Sequence, residues 1–213
     1  MDARREPDKA AYAPRAASAN DIQALWIEQL QAGAELAQWL GDAHADTWRG
    51  HATTATGRFR DLFLDRSGER IADRIDANGV PDWTLRPNLL FTLHLVEDDR
   101  MRARILRRTW ETLVFPWGVA TIDPADRRFH RYHLSPEHHK DAAYHNGTVW
   151  HWLNGIAMQR VLEFNQPELA WPLFDAMNRD ALERGVVGGL AETMDAYPKP
   201  GEALPRLTGT YLQ

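Results

Sequence analysis

The 213-residue sequence contains no cysteine. Disulfides, thiolate metal sites and cysteine nucleophiles are excluded together. It has no run of 18 apolar residues, so no segment reads as a membrane-spanning helix. It has no basic excess: 25 Lys and Arg stand against 30 Asp and Glu, for a net charge of −5. A nucleic-acid surface normally carries the opposite balance. Residues 1–20 are charged and rich in Ala and Pro, without the apolar stretch of a signal peptide. No strand-like alternation and no internal repeat is visible. The expectation is a cytoplasmic protein with no cofactor, no nucleic-acid partner and no membrane partner.

What is present is an apolar content of 44% and an unusual number of indoles, nine tryptophans in all. The apolar share suffices for a packed core. The length suits one domain rather than two. Residues 1–20 read as an irregular leader or exposed loop, followed by a helical domain. Asn20 and Gln23 form a capping-box pattern. Ile22, Leu25, Trp26, Leu30, Gly33, Leu36, Ala37 and Leu40 then recur at helical spacing, and Gly41 stops the run. A second stripe joins Ala45, Trp48, Ala52, Ala55, Phe59, Leu62 and Phe63. Turn residues fill 65–85, with a short extended piece at 70–75. Pro87 suits the first position of a third helix. A fourth helix fits 98–114, with Met101, Ile105, Leu106, Thr109 and Leu113 inward, and Pro116 ends it. Residues 115–147 show no clean period, and a loop of that length is usually functional. A fifth helix carries Val149, Trp152, Leu153, Ile156, Ala157, Arg160, Val161 and Phe164, with Thr148 as its cap. A sixth starts at Pro167 or Pro172 and runs to Glu183. The pattern is all-α: about six helices with long functional loops on one side.

Several clusters carry chemistry. Residues 141–152 read DAAYHNGTVWHW. They place Asp141, His145, Asn146 and the indoles of Trp150 and Trp152 just before a helix. Indoles beside short polar groups suit a sugar, whose C–H face stacks while its hydroxyls take directed hydrogen bonds. The same residues also suit a helix-leading loop whose aromatics are core. In Gly188-Gly189-Leu190-Ala191-Glu192, Glu192 reads either as a catalytic acid or base or as a solvated loop carboxylate. Arg86 and Asn88 read either as ligand-gripping groups or as a surface arginine and a turn residue. Six of the nine histidines fall in 130–151. Their spacing lacks the regular convergence of a zinc site and the H-E-x-x-H pattern, so no metal is expected. The arginines between 100 and 108 lie among Glu97, Asp98, Asp99 and Glu111, which predicts a solvated helix face with ion pairs.

Taken in order, these segments resemble the C-terminal half of the amylo-α-1,6-glucosidase family of glycogen debranching enzymes. The segment Asp21-Ile-Gln-Ala-Leu25-Trp26 is similar to that family's E-I-N-A-L-W. Leu85-Arg86-Pro87-Asn88-Leu89-Leu90 is similar to its L-R-P-N-Q-L. Pro116-Trp117-Gly118-Val119 with Ile122-Asp123-Pro124 resembles its T-P-[YF]-G-L…L-S-P stretch. Tyr144-His145-Asn146-Gly147-Thr148-Val149-Trp150 resembles its Y-H-[NQ]-G-T-V-W motif, the most specific of the set. Gly189-Leu190-Ala191-Glu192 falls at its S-E pair.

The resemblance implies half of an (α/α)₆ toroid of twelve helices. It implies inverting hydrolysis of the α-1,6-linked glucose left at a trimmed branch point of a glycogen-like α-glucan or oligosaccharide. Inversion needs an acid and a base about 6.5–9.5 Å apart. Glu192 would be the general base. Tyr144, His145, Trp150 and Trp26 would line the glucose subsite, supported by Arg86, Asn88, Asp141 and Asn146. Departures from the family are His151 where proline is usual between the indoles, Leu190 two residues before the glutamate where serine or isoleucine is more frequent, and Gln23 for asparagine. A Trp-Gly-Arg-Asp-like segment bearing the acid is missing, and the chain stops at Gln213 where the family continues. The expectation is therefore a fragment that lacks its general acid and self-associates through exposed half-barrel faces. Trp48 and Trp152, on helix stripes, are expected in the core. Alternatives are a trehalase- or glucoamylase-like (α/α)₆ glycosidase and a non-catalytic carbohydrate-binding remnant.

Overall fold

The structure, a computed structural model, describes residues 11–15 and 17–209. The first ten residues of the expected leader therefore lie outside the described residues. The chain forms two compact units. Among the described residues, one consists of residues 15–83 and 91–105; the other holds residues 11–14, 84–90 and 106–209.

In the first unit, helix α1 (Asn20–Leu40) packs against α2 (Ala45–Phe63). The turn between them begins at Gly41, whose φ of 70° closes α1 through its N–H on the Ala37 carbonyl. The buried face of α1 is Asn20, Ala24, Ile27, Leu30, Ala34 and Ala37, and that of α2 is Ala52, Phe59 and Phe63. Burying each large member contributes about 1.5–3 kcal/mol. The rings of Phe59 and Phe63 stack at 4.7 Å. The expected inward face of α1 is corrected here: Ile22, Leu25, Trp26, Leu36 and Leu40 are exposed. The helix has apolar residues on two faces, and periodicity alone does not say which one meets α2. Asn20 is not a side-chain cap either. It is buried, and its amide donates to the Ala72 carbonyl at 3.0 Å.

A small antiparallel sheet, β1 (Ser18–Ala19), β2 (Arg74–Ile75) and β3 (Pro81–Asp82), closes this unit. Arg15 secures it. Its guanidinium donates to both carboxylate oxygens of Asp73 at 3.0 Å and to Asp21 at 3.1 Å. Helix α3 (Asp99–Leu113) buries Ile105, Leu106, Thr109 and Leu113 as its period predicts. Asp98 accepts the Met101 N–H at 2.9 Å and so caps it. Its arginines pair as expected, Arg102 with Asp99 and Arg107 with Glu111. The expected third helix is instead two 3₁₀ turns, Pro87–Phe91 and Leu93–Leu95.

The second unit contains a five-stranded antiparallel sheet in sequential order. Its strands are β4 (Val114–Phe115), β5 (Gly118–Ala120), β6 (Val149–Trp150), β7 (Thr193–Met194) and β8 (Leu207–Thr208). Two- and three-residue strands are too short to show alternation, which is why they escape the sequence pattern. Ala120, Val149 and Met194 form the buried centre, with Phe115, Trp117 and Leu207 against it. The long segment after β5 also holds a short helix, α4 (Lys140–Tyr144). Between β6 and β7 run α5 (Trp152–Glu163) and α6 (Pro167–Glu183), which pack on each other. Thr148 does not cap α5, because β6 intervenes; its hydroxyl donates to the Tyr144 carbonyl at 2.6 Å. Trp152, expected in the core, is 60% exposed, and Trp48 is 39% exposed. Each lies on the rim of its helix's buried stripe rather than at its centre.

Gly147 is the tightest point in this unit. Its φ is 140°, and a Cβ would lie 1.9 Å from the His130 carbonyl oxygen. Both strain and collision oppose any side chain there. Gly147→Ala is expected to lower stability by about 3–5 kcal/mol, measured by urea unfolding; a loss below about 1 kcal/mol would contradict this packing.

Candidate active site

Four of the residues singled out in the sequence converge in the second unit. Tyr144 ends α4, with His145 just after it; Trp150 lies in β6, and Glu192 immediately precedes β7. Antiparallel pairing of Val149 with Met194 brings the motif at 144–150 beside Glu192. The Tyr144 hydroxyl donates to Glu192 Oε1. Tyr144 meets His145 at 4.8 Å and Trp150 at 4.7 Å edge-on, while His145 and Trp150 stack on each other at 5.4 Å. The Trp150 indole N–H donates to the Tyr144 carbonyl at 2.9 Å, fixing the ring's tilt. The result is a partly buried aromatic wall with one carboxylate against it.

Burial, then the hydrogen bond and charge of Glu192, push the Tyr144 hydroxyl well above its ordinary value. It therefore stays a donor at any physiological pH. Asp141, one turn before Tyr144 on α4, is half-buried and adds to the negative field.

The supporting residues are built inward. Arg86 is buried and donates to the Thr121 carbonyl at 3.1 Å, to the His145 carbonyl, and to Asn146 Oδ1 at 2.6 Å. The Asn146 amide donates to the carbonyls of Ala142 at 3.0 Å and Tyr12 at 3.2 Å. These two side chains clamp the loop that carries Tyr144 and His145. Asn88 is half-buried in the 3₁₀ turn after Arg86. Trp26 is half-exposed on α1, in the other unit.

Four residues at the site carry no signal of this role in the sequence. His151 faces acceptors with both ring nitrogens, Asp180 Oδ2 at 2.9 Å and the Ala191 carbonyl at 3.0 Å. It thereby joins α6 to the residue before Glu192. Burial alone would raise the Asp180 carboxyl; hydrogen bonds from His151 and Arg184 outweigh that and hold it low. Gly209, just after β8, lies under Glu192, where a Cβ would meet Oε2 at 2.6 Å. Asp195, buried after β7, accepts the His133 N–H at 2.7 Å, and burial raises its pKa. His133 itself is the fourth. All depend on contacts between distant segments, which no local pattern encodes. The other histidines are dispersed: His130 sits 4.0 Å from His138, and His139 stacks on Tyr12. Among the described residues no group of three His, Asp or Glu can hold a metal ion, and no helix is long and apolar enough to cross a membrane.

The sequence model of the family described as amylo-alpha-1,6-glucosidase matches residues 1–202. The chain belongs to the amylo-α-1,6-glucosidase family. No curated protein matches it. Among solved structures, it is similar to the GH63 mannosylglycerate hydrolase of Thermus thermophilus in complex with glucose. That similarity has 16% identity and a TM-score of 0.63, over 83% of this chain and 39% of that one. It is also similar to the neutral trehalase of Saccharomyces cerevisiae. Here the identity is 12% and the TM-score 0.63, over 85% of this chain and 34% of that one. The fold of this family member is therefore that of the (α/α)₆ glycosidases, with two small sheets added to its helices. The chain spans about two-fifths of the hydrolase's length and about a third of the trehalase's.

The Tyr144–Glu192 pair makes a spectroscopic prediction. Glu192→Gln removes the charge that helps hold the phenol protonated, so Tyr144 is expected to ionise at lower pH than in the wild type. Phenolate absorbance during an alkaline titration, with Tyr144→Phe as the reference, reads this directly. An unmoved Tyr144 titration would mean that the two groups do not interact.

Proposed function

We propose that this chain supplies the general-base side of an inverting glucosidase site that acts on α-1,6-linked glucose in branched α-glucans or oligosaccharides. The observation that carries this reading is Glu192, half-buried and accepting the Tyr144 hydroxyl beside the stacked rings of His145 and Trp150. A glucose ring stacks on such a wall, and a carboxylate at its edge takes a proton from water as the anomeric carbon is attacked. Tyr144 orients Glu192. Arg86, Asn88, Asp141 and Asn146 are assigned supporting roles, Arg86 and Asn146 by holding the loop. The general acid is assigned to a segment outside these 213 residues.

In an enzyme that includes the acid-bearing segment, Glu192→Gln is expected to lower kcat about 10²–10⁴-fold while binding is largely kept. An unchanged kcat would remove Glu192 from the mechanism. The 213-residue chain alone is expected to turn over little. A panel of limit dextrin, isomaltose, trehalose and starch separates debranching from a second reading, a trehalase-like specificity. That second reading is supported by the fold shared with the yeast neutral trehalase.

Self-association belongs to the same proposal. Trp39 on α1 is 82% exposed and Trp171 on α6 is 68% exposed. A groove of about 700 Å³ runs along α5 and α6, lined by Met158, Leu162, Pro167, Trp171 and Phe174. Apolar surface of this kind marks faces that other helices cover. Sedimentation velocity is expected to show concentration-dependent oligomers; a single monomeric species at all concentrations would contradict it.

A further inference from the structure

His151 is the first residue after β6 and is buried. Its ring lies between two oxygens. Nε2 is 2.9 Å from Asp180 Oδ2, and Nδ1 is 3.0 Å from the Ala191 carbonyl. Neither oxygen has a proton to give. A carbonyl only accepts, and the Asp180 carboxylate is kept ionised by Arg184, which donates to its other oxygen at 2.6 Å. A neutral imidazole has one donor and one acceptor nitrogen. It would answer one of these oxygens and set a lone pair against the other. Only the doubly protonated ring answers both, and Asp180 supplies the matching charge.

The second oxygen matters for the site. The Ala191 carbonyl belongs to the same peptide unit as the Glu192 N–H. That unit is planar, so fixing its oxygen fixes the plane from which Glu192 departs. It also lies just outside the sheet, since β7 begins at Thr193, the partner of Thr208.

We propose that His151 is held as an imidazolium between Asp180 and Ala191 and is a positioning residue for Glu192, releasing it when a ring proton is lost. What the positioning serves, a general base, rests on the glucosidase reading; the bridge itself does not. The charged groups on the elements around the ring are Asp180 on α6, Arg184 just after it, and Glu192 before β7. When one ring proton leaves, the other stays on Nε2, because the charged Asp180 is the stronger acceptor. The Ala191 carbonyl then loses its donor, and the peptide before Glu192 loosens without any change on Glu192 itself.

NMR of the 213-residue chain tests both parts. At neutral pH, ¹⁵N spectra are expected to show a directly bonded proton on each ring nitrogen of His151. As the pH rises, the Ala191 carbonyl and Glu192 amide resonances are expected to move with the same midpoint as the ring. Asp180→Asn keeps an acceptor but removes its charge, and is expected to bring that shared midpoint to lower pH. His151→Pro keeps the backbone, because φ at this position is −60° and proline holds about −65°. It is expected to abolish the movement at Ala191 and Glu192, with near-UV circular dichroism reporting intact aromatic packing. A single ring proton at neutral pH overturns the proposal. So do Ala191 and Glu192 resonances that ignore the His151 titration, movement that persists in His151→Pro, or a midpoint unmoved in Asp180→Asn. The wild-type titration decides alone if a variant unfolds. None of these arms contains substrate, so an unchanged kcat in Glu192→Gln would sink the glucosidase reading and leave the bridge standing.

Discussion

A buried guanidinium organises the second unit. Arg86 directs its donors to two main-chain carbonyls and the Asn146 side chain. A buried cation is costly unless its donors are used, and here the geometry that satisfies it is also the geometry of the site. Directly after the His145 carbonyl that meets Arg86, the chain turns at Gly147. That turn sends Val149 and Trp150 into the sheet. Asn146 completes the hub by holding the end of α4 and the segment at Tyr12. Within the motif at residues 144–150, His145 and Asn146 thus also serve as internal scaffold.

The carboxylate side is built by a different device. Glu192 follows a glycine-rich stretch that has little conformational preference of its own. Its position comes from three outside constraints: the pairing of β7 with β6, the His151 bridge from Asp180 to Ala191, and the bare backbone of Gly209 beneath it. His151 stands where the family usually has proline. Proline would fix the backbone at that position; histidine instead reaches across to α6 and to the carbonyl of Ala191, the loop residue before Glu192.

The legible parts of the sequence are those with a long period or a specific motif. α1, α2, α3, α5 and α6 announce themselves, and the meeting of Tyr144, Trp150 and Glu192 follows from their motifs read together. What is not legible is pairwise and distant. The buried face of α1 is decided by α2, not by α1's own apolar residues. Strands of two residues have no period to read. His133 and Asp195 are ordinary residues in irregular segments until a hydrogen bond across 62 positions joins them. Arg86 shows the middle case: its importance is visible in the motif, while its task, holding carbonyls rather than ligand, is visible only once the loop is closed.

The order of the sheet has a consequence for how the site comes into being. β6 and β7 are neighbours in space, but the whole α5–α6 pair, residues 151–192, is looped out between them. Closing a loop of that length costs about 3 kcal/mol of chain entropy before the first strand contact returns anything. Packing α5 on α6 shortens the span that must be closed, so the helix pair and the strand pairing that joins Tyr144 to Glu192 support one another. Whatever loosens those two helices is therefore felt at the aromatic wall and its carboxylate, though neither helix contributes a side chain to that wall.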